Sequence, residues 1–320
     1  MILETPTSLA DIADWDTFVA ESVNGTLFHR RDFLAYHGNR FRGLERPLVW
    51  RAHGTIVGAM AMAQAGLDQP LVLKSPYGAS YGGIVHGQIG LAEAEEMVDL
   101  LVNHLKAEGI QRLTLTPTPA IYMDQPSDYL AFWLLKRGFR IINSDLTAYI
   151  PVIANPLEGL FDRSSNKAVR KAIRDGVEVV QNDDLDTFYN ILLENRKRFQ
   201  ATPTHSKSEV AWLLNHLPGA IRLFMAYRHG RALAGTLVFK CNDRVLLDFY
   251  WAHREDDQQF RPVNLLVHEV TQWAAGQGLR WFDFGTQTVD MVPNQGGSRF
   301  KESMGATGIF RHTYCWESEV

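Results

Sequence analysis

The chain has 320 residues, 46% of them apolar and 21% charged, an ordinary globular composition with length enough for two domains. Its net charge of −4 at pH 7 disfavours a nucleic-acid binder that relies on overall positive charge and leaves room only for a local basic strip. Two cysteines, Cys241 and Cys315, offer neither a disulfide framework nor metal-ligand spacing, so no metal site is expected. The opening residues, Met1 to Pro6, lack the basic and apolar stretches of a signal peptide, and no long apolar run is present. The expectation is a soluble cytoplasmic protein without a membrane span.

Trp15, Phe18 and Val19, with Leu9 and Ile12, recur at helical spacing over 8–22, behind Ser8 as a cap. A short helix is predicted over 28–36. Apolar strands over 47–52 and 55–64 flank His53-Gly54, a hairpin signal. A glycine- and tyrosine-rich loop over 75–85 follows. Ala94, Met97, Val98, Leu101, Val102 and Leu105 share one face of a helix over 91–108. Gly109 ends that helix, a strand follows over 113–115, then a rigid Pro-Thr-Pro loop, a helix over 130–137 stopped by Gly138, and a strand over 146–152.

The second half opens with a basic helix over 163–174, closed by Gly176 before a strand over 177–180. Helices are predicted over 185–199 and 209–217, then a three-stranded meander over 221–227, 232–240 and 245–251. A helix over 263–276 leads to a buried strand, 281–284, carrying one acid, Asp283. A glycine-rich loop then delivers one cation, Lys301, beside Phe300. A strand end followed by such a loop suits an anionic or developing-anion group, though spacing alone favours a core strand before a surface loop with a solvated lysine.

Landmarks repeat between the halves. His53-Gly54 matches His229-Gly230, Gly109-Ile110 matches Gly278-Leu279, and Gly138 matches Gly305. One duplicated unit accounts for this order, with domains at 1–155 and 156–320. The fold class is α/β (α+β), two tandem units each with a mixed, largely antiparallel sheet flanked by helices.

Five stretches carry a family resemblance: the Gly/Tyr loop over 77–85, PTPAIY at 117–122, NKAVRKAIRDGVEV at 166–179, WFDFG at 281–285 and GGSRFKESMGA at 296–306. The chain resembles the GNAT acyltransferases, and in its duplication the Fem family of aminoacyl-tRNA-dependent transferases and the related BioF2-like acetyltransferase domains. The helical-hairpin arm of some Fem proteins is missing, because 163–174 runs straight into a strand.

That resemblance implies transfer of an activated acyl group to an amine, without a tightly bound cofactor. The donor would be aminoacyl-tRNA or acetyl-coenzyme A. The acceptor would be a cell-wall precursor, a peptide or a small amine. Lys301, after Phe300, would stabilise the oxyanion or a phosphate. Asp283 reads equally as an orienter of the amine and as a buried strand residue. Lys167, Arg170, Lys171 and Arg174, with Arg163, form a basic face that either grips donor phosphates, such as those of a tRNA acceptor end, or is merely solvated. Tyr250 and Asn264 are further donor-side candidates. Tyr77, Tyr81, Tyr122, His205 and Asp248 are acceptor-side candidates, the tyrosines reading also as packing plugs. The segment 253–264 lacks the glycines of a pyrophosphate loop and carries Glu255-Asp256-Asp257, which would repel a diphosphate. This favours the tRNA donor. A coenzyme A-dependent N-acetyltransferase is the alternative, and a binding protein without turnover a third.

Overall fold

The structure is a computed structural model that describes residues 1–6, 9–69, 71–198 and 200–318. Ser8, Phe199 and the side chains of Leu9 and Ile12 lie outside that description. The chain forms two compact units, Met1–Asp145 with Phe310–Val320, and Leu146–Ile309. The sequence reading divides it at 155/156. The units divide within a strand instead, and the last strand returns to the first unit.

The first unit runs β1 (Ile2–Glu4), α1 (Leu9–Glu21), α2 (Arg31–Leu34), β2 (Leu48–Ala52), β3 (Thr55–Met60), β4 (Ala63–Gln64), β5 (Val72–Ser75), β6 (Val85–His86), α3 (Leu91–Ala107), β7 (Arg112–Leu115), α4 (Tyr129–Lys136) and the start of β8 (Arg140–Pro151). The helix predicted over 28–36 is α2 between two single 3-10 turns. The strand predicted over 55–64 is two strands, because β3 pairs with β2 in one sheet while β4 pairs with β5 in another. Strand β5 runs parallel to β7. Helix α3 lays its predicted face, Met97, Val98, Leu101 and Leu105, into the core with Leu134 and Trp50.

The second unit takes the rest of β8, then α5 (Arg163–Arg174), β9 (Val177–Asn182), α6 (Leu185–Arg198), α7 (Lys207–His216), β10 (Ile221–Arg228), β11 (Arg231–Lys240), β12 (Val245–His253), α8 (Pro262–Gly276), β13 (Trp281–Thr286), the hairpin β14 (Thr288–Val289) and β15 (Val292–Pro293), α9 (Gln295–Ser303) and the start of β16 (Thr307–Glu317). Its sheet follows the order β8-β13-β12-β11-β10-β9. All neighbours are antiparallel except β12 and β13. Helices cover both faces, as β11 shows. Ala234 joins the apolar cluster of α8, whereas a side chain at the next position, Gly235, would come within 2.7 Å of Phe188 on α6. Successive residues of a strand point to opposite faces, so this glycine lets α6 sit close.

The repeat is visible in bonds as well as in order. His53-Gly54 and His229-Gly230 are both hairpin turns with four positive φ values, 51° and 81°, then 49° and 75°. Four glycine-ended helices close alike. The amide of the residue after the glycine returns to the helix carbonyl five back, Ile110 to Leu105, Phe139 to Leu134, Leu279 to Ala274 and Ala306 to Lys301. This is the Schellman closure, for which a left-handed glycine is suited.

Candidate active site

Three parallel pairs join β12 to β13, from Val245 with Trp281 to Leu247 with Asp283. Beyond them the strands part. Two irregularities accompany the parting: a register shift between Leu237 and Val238 in the β11–β12 ladder, and Gly285 in the left-handed region at φ 73°. A cleft of about 600 Å³ lies in this unit between Trp251 and His253 of β12, the first turn of α8, and Phe300 and Lys301 of α9.

The glycine-rich segment that delivers Lys301 is a helix rather than a loop. The Asn294 side chain accepts the Gly297 amide at 3.1 Å, capping α9. Gly296 and Gly297 both line the cleft. Lys301 lies three-quarters of the way along α9, and its Nζ donates to the carbonyls of Gly285 at 3.0 Å and Thr286 at 2.7 Å. Burial pulls its pKa below that of an ordinary lysine, against the opposing pull of Asp283 and Asp248. Phe300 stands edge-on to Trp251, ring centroids 6.4 Å apart.

Asp283 is fully buried. Its Oδ1 accepts the Thr147 hydroxyl at 2.5 Å and the Gly285 amide at 2.7 Å. It therefore fixes the turn whose carbonyl holds Lys301, a buried strand residue that organises the site from beneath. Asp248 is 3% exposed. Its Oδ1 accepts the Thr236 hydroxyl at 2.7 Å, and burial raises its pKa well above the carboxylate range.

At the mouth, Arg261 adopts a left-handed conformation, φ 57°, and Pro262 occupies the first position of α8, where a missing N–H costs nothing. Asn264, a donor-side candidate, lines the cleft and directs its amide toward the Met304 sulfur at 3.7 Å. The acids before α8 do not face the cleft. Glu255 is paired with Arg198, and Asp257 with Arg231 at 3.0 Å. The expected repulsion of a diphosphate is therefore weaker than the sequence suggests, since two of the three acids are neutralised on a 3-10 turn that the sequence did not reveal.

A second hollow of about 400 Å³ shares Arg261, Asn264 and Phe300 with the first and adds Ser164, Ser165, Lys167 and Lys171 of α5. Of the basic face, Lys167 and Lys171 reach this hollow. Lys171 is also paired with Asp175. Arg170 and Arg174 are exposed on the same helix without lining it.

Five other candidates are packed elsewhere. Tyr250 is buried, and its hydroxyl meets the His205 amide at 3.1 Å and the His205 ring at 3.0 Å. The His205 carbonyl in turn accepts the Tyr189 hydroxyl of α6, so both residues serve the α6 side of the sheet. In the first unit Tyr77 is buried with its hydroxyl on Glu45, and Tyr81 and Tyr122 stack edge-on at 5.0 Å in the core. These three tyrosines are plugs, not groove walls. Trp251 and Arg261 were missed. The Arg-Pro helix start was a signal for Arg261; Phe249 packs with Phe239 and His205 on the α6 side, so strand alternation gave none for Trp251.

Among the described residues no cluster of His, Cys, Asp or Glu is placed to hold a metal ion, and no helix is long and apolar enough to cross a membrane. Residues 162–302 match the family described as the acetyltransferase (GNAT) domain. No curated protein sequence matches the chain. Among solved structures it is similar to FemX, with TM-score 0.75 at 16% identity over 99% of this chain and 98% of that one. It is similar also to L-PGS from Bacillus licheniformis, TM-score 0.63 at 11% identity over 99% and 94%. A tandem GNAT protein from the clavulanic acid biosynthesis pathway gives TM-score 0.56 at 13% identity over 99% of each chain. Residues 162–302, under half of the chain, thus match the acetyltransferase (GNAT) domain, and the chain as a whole is similar in fold to FemX and to that tandem GNAT protein.

Proposed function

We propose that this protein forms an amide by moving an aminoacyl group from a charged tRNA to an amine. The carrying observation is Lys301, a half-buried cation held at the parting of β12 and β13 by two backbone carbonyls. In this reading the amine nitrogen attacks the donor ester carbonyl. The carbonyl oxygen takes up negative charge opposite the Lys301 ammonium, and collapse expels the ribose oxygen, which gains the proton that the amine loses. A cation preorganised in a partly dry site stabilises that oxyanion more than water would.

The donor side rests on three features. Arg261 joins the two hollows, Lys167 and Lys171 continue the positive surface along α5, and Pro262 removes one amide from the helix start that a diphosphate would use. A tRNA donor places the reaction in the cytoplasm. The acceptor is an amine of a cell-wall precursor, a peptide or a small molecule. The donor is a substrate, so no resident cofactor enters. A coenzyme A ester is the second reading, favoured by the domain match over 162–302 and by the open first turn of α8 at the cleft.

Binding of a charged-tRNA mimic and of coenzyme A, each against salt concentration, separates the two. The expected result is tRNA binding that weakens steeply with salt, with the slope reduced by about one for Lys167→Ala. Coenzyme A binding alone, unmoved by that substitution, overturns the tRNA donor.

A further inference from the structure

The acyl-transfer reading leaves His253 without a task. It ends β12 and lines the cleft with Trp251, Gln258 and Arg261. A histidine in such a place suggests a base, and the hydrogen bonds around its ring decide otherwise. Gln258 Nε2 lies 3.0 Å from His253 Nε2 and 3.1 Å from Glu255 Oε1. Glu255 is held in turn by Arg198 of α6. A carboxylate only accepts, so it faces the amide nitrogen of Gln258 and not the amide oxygen. That nitrogen has two hydrogens to give and no lone pair to offer. One hydrogen goes to Glu255 and the other to His253 Nε2, which is therefore the bare nitrogen of the ring. The ring hydrogen sits on Nδ1.

Burial lowers the His253 pKa, the Arg198 charge lowers it further, and Glu255 opposes both. The neutral ring that the hydrogen bonds require is thus also the favoured one. Its basic nitrogen is engaged by Gln258, which removes it as a proton acceptor for the amine. Its place gives a second reason. Lys301 is tied at Gly285, and a side chain at Gly285 would stand 3.6 Å from the Asp248 carbonyl oxygen. His253 lies further along β12 by five residues, about 16 Å of strand. What the ring keeps is one N–H, on Nδ1, with no partner among the described residues. We propose that His253 is a binding residue for the acyl donor, locked by Gln258 as the Nδ1–H tautomer, so that it offers an oxygen of that substrate one hydrogen bond and offers no base. Arg261 at the same mouth supplies charge, and His253 adds direction. An ammonium or N–H group is refused there, because the one lone pair of the ring is taken. The role rests on the acyl-transfer reading for its ligand, whereas the tautomer does not.

Two measurements on the full chain test this. Long-range proton–nitrogen correlation spectra read the tautomer of each histidine, and the His253 signals are identified by their loss in His253→Phe. The expected result at neutral pH is Nδ1–H in the wild type. Gln258→Glu puts an acceptor where the amide donated, and it is expected to move the hydrogen to Nε2. Gln258→Ala frees the ring to take the Nε2–H form, and it decides the matter if Gln258→Glu does not fold. Nε2–H in the wild type, or an unchanged tautomer in the folded variants, overturns the lock. Calorimetry with coenzyme A and with the charged-tRNA mimic then reads binding. Whichever the wild type binds should bind about fivefold more weakly to His253→Phe, a ring without an N–H. It should bind with near wild-type affinity to His253→Asn, whose amide reaches the place of Nδ1. Full binding by the phenylalanine variant, or equal weakening in both, overturns the role. A wild type that binds neither ligand sinks the acyl-transfer reading and the role together, so failure of the role alone is told apart by the variants.

Discussion

The two units use one scaffold and fill it differently. Pairing positions give the correspondence. Val72 faces Arg112 as Val245 faces Trp281, which sets Ser75 against Asp248 and Thr114 against Asp283. The Schellman closures set Leu134 against Lys301, since both carbonyls accept the amide that follows the helix-ending glycine. The second unit thus has two acids and a lysine where the first has serine, threonine and leucine. In the first unit, pairing runs on to Ser75 with Leu115, and Gly82 bridges to Pro117 beyond it. Tyr81 and Tyr122 pack beside that bridge. In the second unit pairing stops at Asp283, and a cleft opens. The comparison teaches that the fold supplies the parting of two strands, and that chemistry depends on whether the parting is filled with rings or left open under a cation.

The largest effects should divide cleanly along this line. Lys301→Ala should cost about 10²–10³ in kcat, the usual loss for one oxyanion donor, with little change in unfolding free energy. Leu134→Ala, at the matching position, should do the reverse. It removes a buried core side chain, 3% exposed, and should destabilise by about 2–5 kcal/mol in chemical denaturation while leaving kcat per folded molecule near wild type. A Lys301→Ala enzyme of full activity would break the comparison, because the second unit would then owe nothing to its cation.

A smaller effect sharpens it. Burial lowers the Lys301 pKa below 10.5, and oxyanion stabilisation needs the charged form. Activity should therefore fall as pH rises through the lowered value, giving an alkaline limb below that of an ordinary lysine. Stability should move oppositely. Between the lowered value and 10.5 the unfolded chain binds more protons at this site, so raising the pH favours the fold there. Lys301→Arg stays charged throughout and should lose the alkaline limb whatever its absolute rate. A pH profile of kcat for both forms checks this, and an unchanged limb in the arginine variant assigns it to another group.

Much of this was legible in the sequence, for identifiable reasons. Helices with a strong apolar period and a terminal glycine, such as α3 and α8, are fixed by local signals, and so are the two His-Gly hairpins. Helix α5 starts and stops where its basic stretch does. Lys301 and Phe300 were identified from their setting, and they do meet in the cleft. What failed is what depends on the partner across space. Helix α9 was hidden because two glycines weaken it and its cap is an Asn whose side chain must turn back to hold Gly297. Tyr250 and Trp251 are one residue apart on the same strand, and only the irregularity at Leu237 and Val238 and the helices above each face decide which ring meets the cleft. The acids at 255 and 257 look repulsive in sequence, yet Arg198 and Arg231 neutralise them. The tyrosines of the first unit differ from groove walls only by burial, which no local pattern records.

The smallest effect probes the shared scaffold itself. His53 and His229 hold φ near 50°, in exposed turns, where a side chain other than Asn or Asp is uncommon. Asn-Gly is the favoured pair for such two-residue hairpins. His53→Asn and His229→Asn should each stabilise by roughly 0.5 kcal/mol, with no change in transfer, since neither ring reaches the cleft. Equal shifts in denaturation midpoint would mean that the hairpins are interchangeable parts of one duplicated unit. A gain at one site and a loss at the other would show that the turns have diverged as the clefts have, and would confine the repeat to the glycine-ended helices and the strands they feed.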